Sequence, residues 1–317
     1  MKFGFREKSD SVTERTADEI QPARRPREQH SGWVGWLPLI LLPATAIALR
    51  NLWPAWVFMW ILSFAIFISL KWLTWLRANE QGTHAGWRSA AYLFAWPGMD
   101  ADEFLNPGAH AARPSATAWF WATLETALGA TTLWVVARSF PASQPLLRGW
   151  AGMAGLILLL HFGTFQIVAL MWQAAGVNAK PIMSAPLRAT SLAEFWGKRW
   201  NLGFRQLGYE LIFRPLHRSL GVELAGLLVF LVSGLIHDLV ISVPARGGYG
   251  LPTGYFLLQG AGITMEHSRW GKRLGLAHGA RGWLFMAVFV AAPVFWLFHP
   301  WFVMRVILPF MQAIRAL

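Results

Sequence analysis

Apolar residues in this chain come in long, nearly unbroken runs, not in the alternating or one-sided patterns of soluble strands and helices. A helix needs about 17–25 mainly apolar residues to cross a bilayer. Such runs cover 33–49, 55–76, 119–137, 150–172, 222–243, 250–265, 282–298 and 301–314. The sixth and eighth are short, so the pattern predicts an all-α, polytopic membrane helix bundle with seven or eight crossings. Residues 1–32 hold seven basic and six acidic side chains and no apolar core. They read as a disordered charged tail with no cleavable signal peptide, leaving 33–317 as a single membrane-embedded domain.

Composition sharpens this picture. Only 14 % of the 317 residues are charged and 55 % are hydrophobic, against about a quarter charged in a soluble domain. With no cysteine, a disulfide framework, a thiolate zinc site, a Cys nucleophile and Cys lipidation are excluded. No Gly-rich phosphate loop, Ser nucleophile elbow or metal triad at helical spacing is present, so no resident cofactor or metal is expected.

The net charge of +12 would suit a polyanionic partner, but its placement matters more than its size. With a cytoplasmic tail and eight crossings, segments 1–32, 77–118, 173–221 and 266–281 face the cytoplasm and carry 21 Lys or Arg. The opposite loops carry only Arg50, Arg138, Arg148 and Arg246. That bias predicts a cytoplasmic N-terminus, in a cell inner membrane or a membrane of the endoplasmic-reticulum type. The surplus also suits anionic headgroups or a polyanionic substrate such as a coenzyme A ester. No basic stripe sits on a soluble domain, which argues against nucleic acid.

Within 173–221, Ser191 followed by Glu194 matches a capping box, so a helix is expected to begin near Leu192. Phe195, Trp196, Lys198, Arg199, Trp200 and Arg205 then mix rings and cations. This suits an interfacial helix on the cytoplasmic surface or a wall of a site for an anionic ligand. Asn201 needs a hydrogen-bond partner at the start of the next apolar stretch. In the run 222–243, His237 and Asp238 cost roughly several kcal/mol unless paired or facing a polar cavity. Ser233 and Gly234 lie one turn earlier on the His237 face, where a close neighbour or a narrow substrate channel fits. Gln259 and Glu266, seven residues apart, share a helix face. Glu125 and His161 read as structural or minor lining residues.

Three strings, SLAEFWGKRWN (191–201), FLVSGLIHDL (230–239) and PTGYFLLQGAGITMEHS (252–268), together and in this order resemble the wax-synthase-like branch of the membrane-bound O-acyltransferase (MBOAT) superfamily. The likeness covers about residues 185–270. It implies an MBOAT-like fold, His237 as the catalytic residue and Asn201 as a second functional position. Many relatives follow the His with Glu, where this chain has Asp238. The expected reaction moves a fatty acyl group from acyl-CoA to an alcohol hydroxyl. A neutral imidazole in low-dielectric surroundings serves as general base, and Asn201 donates to the oxyanion or orients the donor. Trp196, Lys198, Arg199, Trp200, Arg205, Ser233, Asp238, Gln259 and Glu266 are the candidate substrate-binding residues. The expected partners are a fatty acyl-CoA donor, a long-chain alcohol and the lipid bilayer. Two alternatives stay open: an acyltransferase for a sterol, glycerolipid, polyketide or glycan hydroxyl, and a transporter in which His237 and Asp238 relay protons.

Overall fold

A computed structural model describes residues 32–79, 86–109 and 111–317. Apart from Gly32, the tail expected over 1–32 lies outside the described residues. Every regular element among them is helical. In chain order these are α1 (Trp33–Ala48), α2 (Ala55–Asn79), α3 (Gly86–Ala95), α4 (Ala101–Leu105), α5 (116–139) and α6 (Pro145–Ala174). They continue with α7 (192–199), α8 (Leu202–Ala245), α9 (Leu251–His267), α10 (Arg269–Leu274), α11 (Gly279–Leu297) and α12 (300–313).

Four of these, α2, α6, α8 and α11, are long and apolar enough to cross a membrane, and α1 is a shorter apolar helix. Large apolar side chains such as Ile40, Phe64, Phe120, Leu235 and Leu284 are more than half exposed. In water such an apolar exterior would be costly; in a bilayer it faces lipid.

The apolar run expected to begin at 222 belongs to a longer helix, because α8 starts at Leu202. The two parts join at Gly221, whose φ of 81° and ψ of 164° break the helical geometry. A side chain at that φ would be strained, so Gly221 makes the bend between an aromatic and cationic first half and an apolar second half.

Helices α8 and α9 pack along their length, α9 also meets α7 and α11, and α2 packs on the end of α8 and on α12. Helices α8 and α9 come close at Gly234, where a Cβ would lie 2.7 Å from Thr253 Cα. Small residues at helix contacts let two backbones approach in this way. The main core, which includes Tyr255, Phe256, Phe302, Val303 and Val306, fills the space between α5, α6, α8, α9 and α12.

Candidate functional site

Ser191 sits in extended backbone before α7 and its hydroxyl oxygen accepts from Glu194 N at 3.0 Å, so the helix starts at Leu192. The reciprocal arm of the capping box takes a different route. Glu194 turns its carboxylate to Thr190 N at 2.8 Å and to Arg199 at 2.6 Å. The Thr190 N–H, and then the Arg199 guanidinium, hold its carboxyl below the ordinary value of 4.5.

The group that completes the cap comes from elsewhere in the fold. Glu266, buried at the end of α9, accepts from Leu192 N at 2.6 Å and Ala193 N at 3.4 Å. These are donors of the first turn, which lack partners inside the helix. A carboxylate there also meets the positive end of the helix dipole.

Gln259, one face-repeat earlier on α9, is fully buried and ties α9 to both α11 and α7. It donates to Phe289 O at 2.7 Å on α11 and accepts from Trp196 Nε1 at 3.2 Å on α7. The Trp196 ring lies 5.6 Å from Phe256, whose ring lies 4.4 Å from that of His237. The three strings singled out in the sequence therefore meet through α7, α8 and α9, with Trp196 and Phe256 linking the first string to the imidazole.

His237 is half-buried, and its Nδ1 lies 2.7 Å from Ser233 O. A carbonyl only accepts, so Nδ1 carries the proton in the neutral ring. Nε2 is then an unprotonated nitrogen with no hydrogen-bond partner among the described residues. Ser233 thus contributes its backbone carbonyl to the imidazole. Gly234, on the next position, gives the close approach to α9 described above.

Asp238 begins a π-helical turn running to Ser242, a feature often found at functional sites. Its carboxylate is filled by protein donors: Ser242 Oγ at 2.8 Å, Gly250 N at 2.9 Å, Thr253 N at 3.1 Å and the Thr253 hydroxyl. Gly250 and Thr253 are the N-cap and third residue of α9, so Asp238 caps the neighbouring helix. Ser242 in turn lies 3.2 Å from Nε2 of the fully buried His299, whose Nδ1 accepts from Phe302 N at 3.1 Å. That bond puts the His299 proton on Nε2, donating to Ser242, and the Ser242 hydroxyl donates onward to Asp238. The chain ends at the carboxylate, and Asp238 makes no hydrogen bond to His237.

Asn201 closes α7 and opens α8 in the left-handed region, with φ of 43°, a conformation Asn tolerates better than most residues. Its Oδ1 accepts from Phe204 N at 3.4 Å as the cap of α8. The side-chain NH2 has no partner among the described residues. Trp200 is stacked between Phe195, 5.4 Å away, and His161 of α6, 6.4 Å away. His161 Nδ1 is buried there without a hydrogen-bond partner. Arg199 spends its guanidinium on Glu194 and on the carbonyls of Ser184 at 3.2 Å and Ala185 at 3.3 Å. Lys198 and Arg205 are exposed and form no ion pair among the described residues, and Arg205 lies over the Tyr209 ring.

Among residues that sequence reasoning passed over, Lys71 stands out. It is fully buried within α2, donates to Gly98 O at 2.7 Å and sits over the Tyr92 ring. The next residue, Met99, packs against Gly203 and Leu207 of α8, so this lysine pins the segment that backs the start of α8. Its intramembrane position was a readable signal. Phe256, Thr253 and His299 gave no such signal, because their roles arise from packing. Ser242, four residues after Asp238, shares its helix face.

Residues 179–258 match the model of the family described as "Membrane bound O-acyl transferase family". This chain is similar to the wax-synthase-like branch of that superfamily. One relative, "Probable long-chain-alcohol O-fatty-acyltransferase 2" of Arabidopsis thaliana, is 34 % identical over 145 residues, 42 % of this chain and 41 % of the relative. "Probable long-chain-alcohol O-fatty-acyltransferase 7" of the same plant is 31 % identical over 163 residues, 45 % of this chain and 46 % of the relative. "Long-chain-alcohol O-fatty-acyltransferase" of Simmondsia chinensis is 35 % identical over 101 residues, 29 % of this chain and 28 % of the relative. The matched stretch spans less than half the length of each of these relatives. The family match begins before α7 and ends within α9, taking in Asn201, His237 and Asp238.

Proposed function

We propose that this protein is a membrane O-acyltransferase of the wax-ester type, moving a fatty acyl group from acyl-CoA to the hydroxyl of a long-chain alcohol. The observation that carries this reading is the 2.7 Å contact of His237 Nδ1 with Ser233 O, which places the proton of the neutral ring on Nδ1 and leaves a basic Nε2. An unprotonated nitrogen flanked by Phe256 is what proton removal from an alcohol requires. Nε2 takes the hydroxyl proton as the alkoxide oxygen attacks the thioester carbonyl. The tetrahedral oxyanion then collapses, breaking the C–S bond. The departing coenzyme A thiolate takes the proton back from Nε2, so no covalent enzyme intermediate is needed.

Supporting roles follow from the bonds described above. The unpartnered NH2 of Asn201 donates to the oxyanion or orients the thioester. Lys198 and Arg205 form a cytoplasmic basic rim for the coenzyme A phosphates, with Trp196 and Trp200 as walls beneath it. Arg199, Gln259, Glu266 and Asp238 act by holding α7, α9 and α11 in place. In this reading the bundle crosses the membrane seven or eight times, with the N-terminus in the cytoplasm.

The test uses the purified full chain in detergent with radiolabelled palmitoyl-CoA and hexadecanol, reading labelled ester. Ester forms in the wild type and falls at least about a hundredfold in His237→Ala, the lower range for losing a general base. Wild-type rates in a folded His237→Ala protein would remove His237 as the base. A folded wild type that makes no ester from any of a panel of alcohols would remove the reaction.

A further inference from the structure

A cavity of about 510 Å³ opens at the end of α8 remote from Gly221, where α8 meets the α1–α2 turn and α12. Three arginines from these three places line it: Arg50, Arg246 and Arg305. No carboxylate is among its lining residues. Two of the arginines are held in position by neutral groups. Arg246, in left-handed backbone with φ of 50°, donates through Nη2 to Asn51 Oδ1 at 3.0 Å. Arg305 Nη1 donates to Ala245 O at 3.0 Å and Arg246 O at 3.1 Å. Arg50 makes no hydrogen bond or ion pair among the described residues.

A guanidinium offers five N–H donors, so most of those around this cavity are uncommitted. Three full charges on one concave surface repel one another unless an anion lies between them. Arginine forks match the oxygens of carboxylate and phosphate, and of the two phosphate has more oxygens to share among three arginines. The setting adds a second indication. Trp53 and Tyr249 also line the cavity and are 47 % and 64 % exposed. Such half-exposed amphipathic rings sit at headgroup depth in membrane proteins.

We propose that this cavity binds a phosphate group, carried by an anionic phospholipid headgroup or present as free phosphate. Arg246 directly follows the last residue of α8, nine residues beyond His237, about 13 Å along the helix axis. The cavity shares no residue with the Trp196–Phe256–His237 cluster, so the proposal stands apart from the acyl-transfer reading and is tested by binding alone.

The experiment places the full chain in phosphatidylcholine nanodiscs doped with phosphatidylglycerol and counts retained lipids by native mass spectrometry. Arg50→Gln is the decisive variant, because Arg50 makes no hydrogen bond or ion pair among the described residues. Arg218→Gln, an exposed arginine on the first half of α8, is the charge-matched control. Preferential retention of phosphatidylglycerol, lowered about fivefold in Arg50→Gln and unchanged in Arg218→Gln, supports a lipid headgroup site. A thermal shift of the detergent-solubilised protein by inorganic phosphate, absent in Arg50→Gln and without lipid preference, supports a free-phosphate site. Neither lipid preference nor phosphate shift, or either effect intact in Arg50→Gln, overturns the proposal.

Discussion

Replacing Asp238 with Asn keeps the shape of the side chain and turns one acceptor atom into a donor. The carboxylate receives two backbone N–H groups, Gly250 N on Oδ1 and Thr253 N on Oδ2, and a hydroxyl on each side. A hydroxyl can reverse and accept from the new NH2, but a backbone N–H cannot. Whichever way the amide flips, one of the two N–H groups faces a donor and is left unsatisfied, which costs about 1–3 kcal/mol. The lost charge at the N-terminus of α9 adds about 0.3–1 kcal/mol or somewhat more in a partly buried place. The expected loss is therefore about 1–4 kcal/mol. Unfolding of the full chain in detergent, followed through its 20 tryptophans, should show a melting midpoint lowered by about 2–6 °C. Ester formation at low temperature should persist in the folded variant, because Asp238 does not hydrogen-bond His237. A midpoint equal to wild type would refute the capping assignment. Loss of ester formation in the folded variant would refute the separation of Asp238 from the base.

Two further expectations rest on local geometry. Gly234→Ala puts a Cβ 2.7 Å from Thr253 Cα and 3.2 Å from Thr253 O; since both are backbone atoms, α8 and α9 must separate, and a loss of about 1–3 kcal/mol in detergent unfolding is expected, whereas wild-type stability would show that the helices part freely. The Glu194 carboxyl titrates below its ordinary value of 4.5, so its bonds to Thr190 and Arg199 contribute fully above that pH and are lost as pH falls through the lowered value. Acid titration should thus show an added loss of stability below about pH 4.5 that is missing in Glu194→Gln; identical titrations of the two proteins would remove the contribution.

The single-string features of this protein were legible without coordinates. Long apolar runs predict helices wherever they occur, because a bilayer leaves the backbone no partner but itself. Ser191 marked the start of α7, and His237 was conspicuous because an ionisable group in an apolar run is costly. The assignment of partners was not legible. Asp238 looked like a substrate contact or half of a proton relay, yet it caps a helix 12–15 residues further on. Glu266 shares a helix face with Gln259 as expected, but what it holds is the start of α7, 74 residues earlier. Lys71 was readable as an intramembrane cation, whereas its acceptor, Gly98 O, lies in a connecting segment that no periodicity marks.

The sequence alone predicted helices with an apolar exterior and marked His237 as a candidate, because hydrophobic run length and the cost of a buried charge are properties of single segments, while Asn201 became a candidate through the family resemblance. The tertiary structure decided which atoms of those residues are free. Hydrogen-bond capacity is used up by neighbours in space, and only packing α8 against α9 and α7 fills the carboxylates of Asp238 and Glu266. The free Nε2 follows from the carbonyl one turn before His237, which fixes the proton on the other nitrogen.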